Sequence, residues 1–182
     1  MDIKKLVKKR KPSEYITYSV IILVGIILDQ LTKWLSKEYL TRVSTVPIIE
    51  DVLHLTYLEN RGAAFGSFQD MPWVFNSVST VAIIAIALYL YLGHARWGLQ
   101  AISLSMILSG GIGNMIDRIS LGYVVDFIDF RLIDFAIFNG ADSFVCVGAG
   151  LLILSLILEI ADEARAEKAK KLSSPESEDD GE

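Results

Sequence analysis

Cysteine, histidine and proline are scarce in this 182-residue chain, at one, two and four residues. The single cysteine, Cys146, rules out an intrachain disulfide, and two histidines give no basis for a zinc site of the usual Cys/His kind. Within an apolar run such a cysteine reads as a small buried side chain. Charge is missing too, over long stretches. Met71 to Gly93 carries none in 23 residues and Trp97 to Ile116 none in 20. Either crosses a hydrocarbon core of ~30 Å at about 1.5 Å per residue. A soluble domain of this length is usually less apolar than 52%, and its apolar residues do not come in blocks.

The acidity is local. The net charge is −5, but the last ten residues hold five acids and no base, which leaves the body with 17 bases against 17 acids. Residues 1–14 form a basic N-terminus with Lys4, Lys5, Lys8, Lys9, Arg10 and Lys11. The uncharged run from Tyr15 resembles a signal peptide, yet it lacks a small-x-small cleavage signal and its hydrophobic pattern continues to Leu35. It reads as a first span over 15–35. Asp29 and Lys33 lie one turn apart in it, so each neutralises the other near the membrane edge. Further spans are expected at about 71–93, 97–117 and 139–160. The fourth reaches full length only when 138–142 is counted, which places Asp142 at a helix start, where the dipole favours a carboxylate. Residues 161–182 form a charged tail expected to be disordered and cytoplasmic.

Four spans put both termini on one side. Bases crowd the N-terminus, the short 93–97 connection and the segment after the fourth span, so both ends are expected in the cytoplasm. Residues 36–70 and 118–141 then face outward. Val52 to Glu59 alternates as a strand does, with Leu53, Leu55 and Tyr57 on one side and His54 and Thr56 on the other. The turn Glu59-Asn60-Arg61-Gly62 follows: composition alone reads it as an ordinary loop, and a functional reading uses the Asn60 amide and the backbone near Gly62 to hold a substrate. On the third span Gly110, Gly113, Asn114 and Asp117 share one face: the glycines allow close helix approach, and Arg118 adjoins the polar pair.

Gly122 to Ser143 carries Asp126, Asp129, Asp134 and Asp142 among valines, isoleucines and phenylalanines. Carboxylates in such company are costly to keep charged, and two brought together share a proton and perform acid–base chemistry. Spacing does not say which two meet. A proton relay through Asp29, Lys33, Asp117 and Asp142 requires ionisable groups through the membrane's depth, and the middles of spans two to four have none. A structural subunit leaves the amide and carboxylate cluster without a task. No Ser–His arrangement is present.

Five segments together resemble the bacterial lipoprotein signal peptidases, the type II signal peptidase family. They are DQLTKWL at 29–35, ENRGAAFG at 59–66, GGIGNMIDRI at 110–119, GYVVDFIDF at 122–130 and FNGADS at 138–143, in the family's order. NRGAAF alone is a weak signal; five in sequence over roughly 15–160 are not. The resemblance implies an all-α integral membrane protein of four transmembrane helices with a small extracytoplasmic β-sheet and a short surface helix. It implies an intramembrane aspartyl endopeptidase that removes the signal peptide from a prolipoprotein, just before a diacylglyceryl-modified cysteine. The catalytic aspartates it implies are Asp126 and Asp142. Asp29, Lys33, Asn60, Gly62, Asn114, Asp117, Arg118 and Asn139 match its other motif positions. Gly140 stands where an aliphatic residue is commoner, and Arg61 where a small polar one is. Membrane lipid is an expected partner. No metal, organic cofactor or nucleic acid is expected, a monomer suffices, and the expected location is the bacterial inner membrane with the site near its outer face.

Overall fold

Pro12 opens the first helix, where its missing N–H costs nothing. In this computed structural model, which describes residues 10–62, 72–96 and 98–173, α1 spans Pro12–Leu40. Its buried residues, Tyr18, Ile22, Gly25, Asp29, Lys33, Ser36 and Leu40, recur every three or four positions. Val20, Leu23, Ile27, Leu31 and Trp34 point outward instead. Small and polar groups inside with aliphatic groups outside is the reverse of a water-soluble helix, and suits lipid. Then come β1 (Thr45–Ile49), β2 (Leu53–Asn60), α2 (Pro72–Tyr91), α3 (Leu99–Ser120), β3 (Val124–Phe130), a 3-10 turn at Arg131–Ile133 and α4 (Gly140–Ser173). The helices α1, α3 and α4 are long and apolar enough to cross a membrane; the apolar stretch Asn76–Tyr91 of α2 is shorter.

The central helix is α3, which packs against α1, α2 and α4. Glycine makes the approach close. A Cβ on Gly113 would lie 2.5 Å from Asp29 Oδ2, and one on Gly110 would run into the Ala141 carbonyl. The glycine face read from the sequence is therefore the seam to both α1 and α4.

The three strands form an antiparallel sheet in the order β1-β2-β3. The sequence reading has counterparts of β2 and β3 but not β1, whose Pro47 is tolerated because the strand lies at an edge. On β2 the polar side is the enclosed one: His54 is buried and stands opposite Asp129, and Thr56 donates to Asp129 at 2.8 Å. Two expectations need correction. Helix α4 continues through the charged segment to Ser173, because Ala161 to Lys171 consists almost wholly of strong helix formers and Asp162 pairs with Arg165 one turn on at 3.7 Å. Cys146 is exposed, not buried, since it lies where α4 borders open space beside α2 and α3 rather than in the packed seam. The described residues include no separate surface α-helix. Residues 1–9, 63–71, 97 and 174–182, and with them most of the basic start, the Ala63–Gly66 part of the 59–66 motif and the acidic end, lie outside the described residues.

Candidate active site

Asn139 caps α4. Its Oδ1 accepts from the Asp142 N–H at 2.9 Å, and Asp142 Oδ2 accepts from the Asn139 N–H at 3.1 Å. This reciprocal pair is a capping box, so the fold of the helix start fixes the Asp142 carboxylate. Because the Asn139 carbonyl is occupied by an obligate donor, its NH2 faces the other way. It donates to Asp126 Oδ1 at 2.7 Å and to Asn114 Oδ1 at 3.1 Å. One asparagine thus joins Asp126 on β3 to Asp142 on α4.

The same logic orients the other two amides. Asn114 Oδ1 accepts from the Lys33 ammonium at 2.8 Å, which turns its Nδ2 to Asp142 Oδ1 at 2.7 Å. Asn60 Oδ1 accepts from the Gly62 N–H at 3.0 Å, which turns its Nδ2 to Asp126 Oδ2 at 2.9 Å. Each carboxylate receives two hydrogen bonds from groups that cannot swing round. Lys33 also reaches Asp29 at 2.9 Å and Asp117 at 3.1 Å, all three being buried. Asp29 accepts in turn from the Ala141 N–H at 2.8 Å, and Asp117 from the Val125 N–H at 3.1 Å.

All four aspartates border one cavity, and two of them, Asp126 and Asp142, share Asn139. Asp126 and Asp142 line this cavity of about 1260 Å³ with Asn60, Asn114 and Arg118, and its walls continue along α2, α3 and α4 through Ile83, Ile107 and Cys146. Burial pushes the Asp126 carboxyl up to about 6; the nearby Asp142 adds to the rise, while the hydrogen bonds from Asn60 and Asn139 oppose it. Asp129 borders the same cavity, but Thr56 and Arg131 hold it at 2.8 and 3.0 Å. Burial pushes Asp129 up, yet those two partners outweigh it and hold the group below the ordinary carboxylate range. Asp134 ends the 3-10 turn in a left-handed conformation, φ 48°. A residue within DQLTKWL to which the sequence reading assigns no role is Gln30, whose amide reaches Asp117 at 2.9 Å. Its signal was an amide inside an apolar span, next to Asp29.

Comparison with known proteins decides the family. The model described as signal peptidase (SPase) II matches residues 21–158. The chain belongs to the signal peptidase II family. A lipoprotein signal peptidase of Caldanaerobacter subterraneus is 47% identical over 133 residues, 73% of this chain and 90% of the relative. One of Halothermothrix orenii is 44% identical over 137 residues, covering 75% and 92%. A bacterial membrane enzyme solved by the in meso method at 2.3 Å resolution superposes with a TM-score of 0.71 at 30% identity, over 80% of this chain and 90% of that one. As a member of that family the chain is a protease of lipoprotein processing and a multi-pass membrane protein.

Proposed function

We propose that this member of the signal peptidase II family is an intramembrane aspartyl endopeptidase whose catalytic pair is Asp126 and Asp142, and that it cuts a prolipoprotein just before its diacylglyceryl-modified cysteine. The observation that carries the reading is the Asn139 bridge. One amide is bonded to Asp126 and, through the capping box, to Asp142, at the wall of one cavity. Two such carboxylates hold a single proton between them at working pH. The ionised one takes a proton from water, which attacks the scissile carbonyl, and the protonated one polarises that carbonyl and then serves the leaving amine. The raised Asp126 carboxyl supports such sharing, and the titration belongs to the pair. Arg118 on the cavity wall, with Asn114 and Asn139, stabilises the oxyanion as it develops. Asn60 and the turn at Gly62 hold the extended substrate backbone.

In this reading α2 is the fourth span, since its 20 residues give about 30 Å of helix. Both termini are cytoplasmic and the sheet lies at the outer face of the inner membrane. Few apolar residues of α4 are enclosed, and many of α1, among them Leu23, Ile27 and Leu31, point outward, so lipid surrounds the site and the lipidated substrate arrives through it. One chain supplies both aspartates, so the monomer is the working unit.

The test uses purified protein in lipid and a prolipoprotein offered with and without its diacylglyceryl group. Cleavage of the lipidated substrate alone, lost in Asp126→Asn and Asp142→Asn and kept in Asp129→Asn, is the expected result. Activity surviving in either of the first two removes that aspartate from the pair.

A further inference from the structure

Lys33 has three N–H bonds and three acceptors: Asn114 Oδ1 at 2.8 Å, Asp29 Oδ2 at 2.9 Å and Asp117 Oδ2 at 3.1 Å. One ammonium therefore serves two buried carboxylates, with the Arg118 guanidinium also acting on Asp117. Gln30 supplies a further donor. Its Nε2 lies 2.9 Å from Asp117 Oδ1, 3.2 Å from the Gly113 carbonyl and 3.3 Å from Asp29 Oδ2. The two carboxylates it serves each grip the backbone one residue before a member of the acid pair. Asp117 accepts from the N–H of Val125, which precedes Asp126, and Asp29 from the N–H of Ala141, which precedes Asp142. Gln30 itself is not among the residues that line the cavity.

We propose that Gln30 is a positioning residue of the reaction: it holds Asp117 and Asp29 in the orientation that sets Asp126 and Asp142 against each other. This rests on the assignment of Asp126 and Asp142 as the catalytic pair. Without the amide, Asp117 turns both oxygens toward Lys33 and draws the ammonium off Asn114, whose Oδ1 is then held by the Asn139 NH2 alone at 3.1 Å, so the Asn114 NH2 is less firmly held toward Asp142. The pair's anion then keeps a weaker donor. Weakening a donor to a charged form makes that form harder to reach, so the acid limb of the activity profile moves to higher pH. The charged groups facing this cluster are Asp29 and Lys33 from α1, Asp117 and Arg118 from α3, Asp126 from β3 and Asp142 from α4.

The experiment compares Gln30→Met, of similar length with no donor, and Gln30→Glu, of the same shape with a further carboxylate. Both are assayed as full chains in lipid on a diacylglyceryl lipopeptide, with kcat and KM determined separately across pH, beside Asp126→Asn and Asp142→Asn. Gln30→Met is expected to lose on the order of tenfold to a hundredfold in kcat, with KM within about twofold of wild type and the acid limb displaced upward. Gln30→Glu is expected to be slower still at neutral pH and to approach Gln30→Met on acidification, where its added carboxyl takes up a proton. A Gln30→Met enzyme with wild-type kcat and profile overturns the proposal. So does one whose kcat falls in proportion to its folded fraction with the profile unmoved, and so does one that does not fold. Cleavage by Asp126→Asn or Asp142→Asn overturns the pair assignment instead, whatever Gln30 does.

Discussion

At neutral pH the fold holds the Asp126 carboxylate where ionisation is disfavoured, and that has a consequence for stability as well as for chemistry. The rise from the ordinary 3.8 to about 6 corresponds to about 3 kcal/mol at about 1.36 kcal/mol per pH unit. The sign follows from proton binding. Between 3.8 and 6 the folded state keeps a proton on Asp126 that the unfolded chain has lost, so stability falls as pH rises through this window and the full penalty stands above it. Asp126→Asn removes the penalty. It also leaves one of the two amides, Asn60 or Asn139, facing another NH2 without an acceptor, which costs about 1.5 kcal/mol. The variant is therefore expected to be more stable than wild type by about 1.5 kcal/mol at pH 7.5 while cutting nothing. On acidification to about pH 4.5 wild type regains about 2 kcal/mol that the variant does not, and the order of stability reverses. Unfolding of both proteins in mixed micelles at the two pH values measures this. Curves that shift equally with pH in both would refute the argument, because the carboxylate would then be as easily ionised in the fold as outside it.

Other outcomes are expected. Lys33→Met strands two buried carboxylates and should lower stability by about 3–5 kcal/mol, read from the same unfolding curves; a near-neutral result would mean the cluster is hydrated. Gly113→Ala puts a methyl 2.5 Å from Asp29 Oδ2 and should cost about 1–3 kcal/mol together with activity, whereas Gly150→Ala, with nothing within 4 Å, serves as its silent control. The profile of kcat/KM should fall above about pH 6, where the pair loses its shared proton. The falling limb of kcat should lie at higher pH, since bound substrate excludes water from the cavity and disfavours the second charge further. A lipopeptide assay across pH checks both limbs, and coincident limbs would mean that substrate leaves the pair hydrated.

The sequence by itself determined the class of molecule. Long uncharged runs have one favourable solvent, and period-two alternation over Val52 to Glu59 and around Asp126 needs no partner to be recognised. Order and spacing of five motifs were enough to point at the family, and the glycine face of α3 was legible because helical periodicity is a property of the segment. What tertiary structure decided is which polar groups meet. Asp126, Asp129, Asp134 and Asp142 look alike in sequence, and only packing gives Asp129 a threonine and an arginine while Asp126 and Asp142 share an asparagine. Packing also chose Gln30, whose partner Asp117 is 87 residues away, and left Cys146 exposed in an apolar run. The physical reason is range. Hydrophobic periodicity acts along one element, whereas a hydrogen bond is decided within about 3 Å by elements brought together from distant parts of the chain.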